Sequence, residues 1–270
     1  MTLVKSVYFV VLNSFYNQSI YFSKKRETVT AYAIVLLPGL DGTGELFEPF
    51  VKCLPERINP IVVSYPRANR KTYEELKELV MPFIPEDMPF FLLGESFSGP
   101  LSVMISYEKP EGLKGLILCA TFIRNPFILL PSWMRFISVS PVYRLWPALI
   151  GVRAGLSVEK FAPIAGLALK AIRSVNPSVI AHRVKSILSV NVERELSLCT
   201  CPVLYLMAGK DRLIRKHNYR RIKAVKNDVK LETIDTQHFI LQLEPGRSSE
   251  ILVDFMDSVI AETEKPLIKR

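Results

Sequence analysis

Four continuous apolar runs, at residues 33–37, 61–65, 89–93 and 115–120, recur at intervals of about 25 to 30 residues with helical patterns between them. That is the rhythm of βαβ units. It predicts a parallel sheet whose right-handed crossovers put helices on both faces. Two further strands are expected late, at 202–207 and 229–234, followed by a helix over 248–263 with an apolar stripe at Ile251, Phe255, Val259 and Ile260. Residues 6–12 and 19–22 read as a strand pair at the edge of the sheet, ahead of the charged break Lys24-Lys25-Arg26.

Between Ala120 and Cys199 the strand rhythm stops. This segment is helical in pattern and unusually apolar (Trp133, Met134, Trp146, Phe161, Leu169, Ile187), and prolines at 126, 131, 141, 147, 163 and 177 cut it into short helices. An insertion that leaves a parallel sheet after one strand and rejoins before the next sits at the sheet's ligand-binding end. The expected organisation is therefore a core over 1–122, a helical cap over 123–198, and the rest of the core over 199–270.

With 49% apolar residues among 270, the chain can bury a large core. The net charge is +9, but basic and acidic residues are interspersed, which gives no support to a nucleic-acid partner. The one dense basic stretch comprises Arg212, Arg215, Lys216, Arg220, Arg221, Lys223 and Lys226. It reads as the solvated face of a surface helix, with weak contact to an anionic membrane surface, or contact with an acidic partner, as the sharper alternative. Cys53, Cys119, Cys199 and Cys201 lack the spacing of a zinc site and read as reduced structural thiols; no metal or cofactor is expected. The apolar stretch 7–12 is short for a signal-peptide core, and no run is of membrane-spanning length, so a soluble cytoplasmic protein is expected.

The third apolar run ends in Gly94-Glu95-Ser96-Phe97-Ser98-Gly99, and a helical pattern follows. A strand that turns into a helix within so few residues needs small residues two before and two after the turn, here Gly94 and Ser98. Ser96 would then project from both elements as a nucleophile, above a helix start that aims unsatisfied N–H groups at an oxyanion. The usual motif has glycine where Ser98 stands, and Gly99 comes one place late.

A serine nucleophile needs a base, and the base needs an acid. Of three histidines, His217 lies among cations and reads as a solvated helix position, and His182 reads as surface. His238 follows the last strand and is the candidate base. For the acid, Asp211 directly follows a buried strand at the same end of the sheet as Ser96; Asp235 is its rival, three residues from His238. The order Ser96, Asp211, His238 is that of one fold in particular.

Over residues 31–264 the chain resembles the α/β-hydrolase superfamily. The likeness rests on Leu37-Pro38-Gly39-Leu40, the Gly94–Ser98 turn, Gly209-Lys210-Asp211 and Gln237-His238-Phe239, in that order. The resemblance implies an α/β-hydrolase fold, with a mostly parallel sheet and an inserted cap. It makes Ser96 the nucleophile, His238 the base and Asp211 its orienting acid, and it places the oxyanion hole at the backbone N–H groups of Leu40 and Phe97. Serine at 96 argues against the aspartate-nucleophile dehalogenases and epoxide hydrolases of the same superfamily. The implied reaction is hydrolysis of a small carboxylic ester with apolar groups. Thioester hydrolysis and acyl transfer would use the same residues; the loop Leu-Pro-Gly-Leu-Asp-Gly-Thr-Gly is similar to that of plant-type phytyl ester synthases. A member of the fold that only binds a ligand is the alternative of another class. The oligomeric state is not encoded in any motif.

Overall fold

The computed structural model describes residues 9–10, 32–127 and 158–264. Seven strands form one sheet: β1 (Phe9–Val10), β2 (Tyr32–Leu37), β3 (Ile58–Val63), β4 (Phe90–Glu95), β5 (Leu113–Cys119), β6 (Val203–Ala208) and β7 (Lys230–Ile234). Their order is β1-β3-β2-β4-β5-β6-β7, and every described pairing is parallel. The edge strand expected within 6–12 is thus present as two residues against Val62 and Val63. The stretch 19–22 lies outside the described residues.

The continuous apolar runs are explained by burial on both faces. Along β2, Ala33, Val35 and Leu37 enter one core while Tyr32, Ile34 and Leu36 enter the other. The first core is closed by α2 (Tyr73–Val80) and α3 (Gly99–Tyr107), which contribute Tyr73, Leu76, Leu101 and Ile105. The second is closed by α1 (Glu48–Cys53) and the last helix, whose stripe of Ile251, Phe255 and Val259 is buried as the spacing predicts.

Between β5 and β6 the described residues hold three helices: α4 (Val158–Arg173), α5 (Pro177–Ser189) and α6 (Glu193–Ser197). Trp133 and Trp146 lie outside the described residues. After β6 come α7 (Lys216–Val225), α8 (Ile240–Leu243) and α9 (Pro245–Glu264). The basic stretch occupies the loop before α7 and that helix. Arg221 pairs with Glu193 and Lys226 with Asp228, while Arg212, Arg215, Lys216 and Arg220 are exposed and make no ion pair among the described residues. His217 is not the solvated position its neighbours suggest. It is half-buried, and its Nε2 lies 2.9 Å from the Pro126 carbonyl, because α7 packs beside the segment that leaves β5. No described helix is long and apolar enough to cross a membrane.

β4 passes into α3 through the single 3-10 turn Ser96–Ser98, with no loop between. A Cβ on Gly94 would lie 2.5 Å from the Ser98 carbonyl oxygen and 2.9 Å from the Ser102 Cβ, so only glycine fits without displacement. Overpacking of this kind costs about 1–3 kcal/mol. Gly94→Ala is therefore expected to lower unfolding stability by about 2 kcal/mol, read as a lower urea midpoint at unchanged m-value; an unchanged midpoint would contradict this packing.

Candidate active site

Ser96 takes a backbone φ of 49°, in the left-handed region that L-residues occupy at a cost of about 1–2 kcal/mol. The surrounding structure holds it there. Thr121, just past β5, donates its hydroxyl to the Ser96 carbonyl, and the Tyr73 hydroxyl donates to the Phe97 carbonyl at 2.8 Å. The Tyr73 ring stacks on Phe97 with centroids 4.8 Å apart. Gly99, one place later than the usual motif, has its own use: a Cβ there would lie 2.5 Å from the Thr121 methyl carbon. Ser98, which replaces the usual glycine, is more than a tolerated small residue. Its hydroxyl donates to the Pro38 carbonyl, and the Tyr65 hydroxyl meets it at 2.6 Å, so the turn is tied to the loop after β2.

Sheet register brings the other candidates to Ser96. Leu37 pairs with Gly94, so the loop 38–42 and the 95–98 turn leave the sheet side by side. A Cβ on Gly39 would lie 3.9 Å from the Ser96 Cβ. Ala208 pairs with Ile234, and beyond the strands Lys210 N–H donates to the Thr236 carbonyl at 2.9 Å, joining the acid turn to the loop of His238.

His238 stands between the other two residues. Its Nδ1 lies 2.7 Å from Asp211 Oδ2, and its Nε2 lies 2.9 Å from Ser96 Oγ. A carboxylate only accepts, so Nδ1 carries the proton given to Asp211 and Nε2 is left to accept from the serine hydroxyl. Asp211 is fixed by its own turn: Oδ1 accepts the N–H groups of Leu213 and Ile214 at 2.8 and 2.9 Å, leaving Oδ2 for the imidazole. The rival Asp235 turns away, its side chain 77% exposed and paired with Lys210 at 2.6 Å. His182 is half-buried on α5 and takes no part.

Burial alone would push the His238 imidazole down; the charge and hydrogen bond of Asp211, with the charge of Glu95 behind them, outweigh it and hold the group above its ordinary value. Glu95 is itself buried beneath the site, and Gln242 of α8 donates to it at 3.0 Å. Burial pushes its carboxyl up to about 7, with Asp41 adding to the rise and Gln242 and His238 opposing it.

The N–H of Leu40 donates to no acceptor among the described residues, and Phe97 places its N–H in the single 3-10 turn Ser96–Ser98 directly after β4. Leu40 packs against a small buried apolar cluster of Val175, Val179 and Ile180, with Ile172 at its edge, from the chain between β5 and β6. Tyr65, Glu95 and Gln242 are site residues that sequence reasoning gave no role, and it read Ser98 only as a small residue of the turn. The departure of Ser98 from the glycine motif was the one signal that could have exposed any of them.

No protein-family model and no curated protein matches the chain in sequence. Solved structures do match in shape. A hydrolase from Pseudomonas aeruginosa PA01 superposes with a TM-score of 0.70 at 14% identity, covering 85% of this chain and 91% of the other. An esterase from Exiguobacterium antarcticum gives 0.70 at 15% identity, covering 85% and 93%. An enol-lactonase from Burkholderia xenovorans LB400 gives 0.67 at 16% identity, covering 84% and 92%. With its parallel seven-stranded sheet and the turn from β4 into α3, the chain has the fold of the α/β-hydrolase superfamily.

Proposed function

We infer that the chain is a serine hydrolase that cleaves carboxylic esters with apolar acyl or alcohol groups through an acyl-enzyme on Ser96. The observation that carries this reading is the unbroken hydrogen-bond chain from Asp211 through His238 to Ser96. Ser96 Oγ attacks the ester carbonyl carbon as its proton passes to His238 Nε2. The Asp211 carboxylate stabilises the imidazolium that results, and the oxyanion takes the backbone N–H groups of Phe97 and Leu40. His238 then protonates the departing alcohol; water, deprotonated by the same nitrogen, releases the acid. Each oxyanion donor contributes about 3 kcal/mol to the transition state. The apolar preference is supported by the apolar character of the chain between β5 and β6, where Ile172, Val175, Val179 and Ile180 pack with Leu40 next to the site. The ester-directed neighbours in fold agree with the same chemistry.

The test is hydrolysis of p-nitrophenyl esters from acetate to palmitate. Ser96→Ala is expected to lower kcat by about 10⁴-fold or more and to abolish labelling by a serine-directed phosphonate. A folded wild type with neither turnover nor labelling would sink the reading and leave ligand binding. Transfer of the acyl group to an added alcohol in preference to water would make the chain an acyltransferase on the same residues.

The acid limb of kcat/KM reports the free imidazole, which must be neutral to accept the serine proton. Since His238 is held above its ordinary 6.5, that limb is expected above pH 6.5. Asp211→Asn removes the charge that favours the imidazolium, so the limb should move to lower pH while the rate falls by about 10⁴-fold. A limb that stays in place would separate Asp211 from His238.

A further inference from the structure

Arg183 belongs to α5 of the inserted segment, yet its guanidinium ends inside the loop after β2. The residue is 2% exposed. Its Nη1 donates to the carbonyls of Leu40 and Asp41 at 2.9 and 2.6 Å, and its Nη2 to the carbonyl of Pro66 at 3.1 Å. The guanidinium carbon stands 5.6 Å from the centre of the Tyr65 ring. Gly42 makes room for it: the residue has φ +67°, and a Cβ there would lie 2.7 Å from the guanidinium carbon. Among the described residues Arg183 makes no ion pair, so its buried charge is met by carbonyls and a ring face, with the Asp41 carboxylate acting on it only at a distance. As a fastening for the helix this is poor economy, since an apolar side chain of similar volume would hold α5 without desolvating a cation.

What Arg183 contacts suggests a different use. Five successive carbonyls, from residue 38 to residue 42, each have a fixed donor: Pro38 has the Ser98 hydroxyl, Gly39 has Gly42 N–H at 3.0 Å, and Gly42 has Tyr65 N–H at 2.7 Å. Among the described residues Leu40 and Asp41 have only Arg183. Because a peptide unit is planar and trans, fixing the Gly39 carbonyl inside the turn aims the Leu40 N–H the opposite way. The two peptides that follow must hold still for that direction to persist.

On the hydrolase reading, we propose that Arg183 is the positioning residue of the oxyanion hole: it clamps the Leu40 and Asp41 carbonyls so that the Leu40 N–H stays aimed at the developing oxyanion, and so couples the inserted segment to transition-state stabilisation. Burial lowers the guanidinium to about 10, with Asp41 as the main opposing influence, and it stays charged at neutral pH. The clamp touches no substrate atom.

The test uses the full-length chain and one p-nitrophenyl ester. Arg183→Ala is expected to lower kcat by about 10²-fold with KM changed less than about twofold. Guanidinium at millimolar concentration should restore much of the loss, while sodium chloride at equal concentration should not. Inactivation by the phosphonate, which also develops charge on oxygen, should slow in parallel. A kcat close to wild type, a loss confined to KM, or a loss that guanidinium leaves untouched overturns the inference. Where Arg183→Ala does not fold, Arg183→Met, which keeps an apolar stem and has no donor for the carbonyls, carries the test through the kcat and KM split alone. If the wild type itself shows no Ser96-dependent turnover, the hydrolase reading falls first; if it turns over and the variants match it, only the clamp falls.

Discussion

The left-handed backbone of Ser96 is the constraint on which the rest depends. A strand and a helix meet there with almost no loop between them, and the strain is tolerable only because neighbouring elements fix both carbonyls of the turn. Thr121 from the end of β5 and Tyr73 from α2 supply those bonds. Gly94 and Gly99 are the two places where a methyl group would force the elements apart. A turn built this way cannot relax in one part without moving its neighbours, and this keeps Ser96 Oγ aligned with His238 at 2.9 Å.

The parallel sheet then fixes where everything else must come from. All strands point the same way, so the ends of β4, β6 and β7 open onto one surface, and register decides which residues meet there. Asp211 and His238 are 27 residues apart in the chain, but the Ala208 to Ile234 pairing puts their loops in contact. Electrostatics finish the arrangement. The site is dry enough that burial opposes a charged imidazole, and only carboxylates placed by neighbouring turns outweigh it. Asp211 does so by direct contact, with its other oxygen held by two backbone amides. Glu95 does so from beneath, without a hydrogen bond to the ring.

The central strands were legible because burial on both faces writes an unbroken apolar run, and the candidate serine, acid and histidine were legible because few residues of those types end such runs. Boundaries were harder. The strand expected from residue 61 begins at Ile58, since Pro60 disguises it; β1 reaches only Val62 and Val63, so the missing N–H of Pro60 faces no described strand. The last helix begins at Pro245 rather than 248, where proline fits the first turn without losing a bond. Arg183 had no local signature at all. Its carbonyl partners lie 117 to 143 residues away, and on α5 its spacing is that of any helix arginine. Ser98 was visible as a departure from the glycine motif, but its partners Pro38 and Tyr65 are distant in the sequence, so what the hydroxyl holds could not be read.

Ser98 and Arg183 hold carbonyls of the same loop. The first comes from the core turn and holds Pro38; the second comes from the inserted segment and holds Leu40 and Asp41. The Leu40 N–H therefore takes its direction from both parts of the chain, while the Phe97 N–H takes its direction from the core turn alone. Under the proposed reaction, a displacement of α5 would weaken one oxyanion donor and spare the other, leaving Ser96, His238 and Asp211 in register. The Leu40 side chain packs at the same place against Val175, Val179 and Ile180. An acyl group that pressed on the partly buried edge of this cluster, Leu40 and Ile172, would bear on the peptide that receives its oxyanion, so substrate fit and transition-state stabilisation would be tied to the same few contacts.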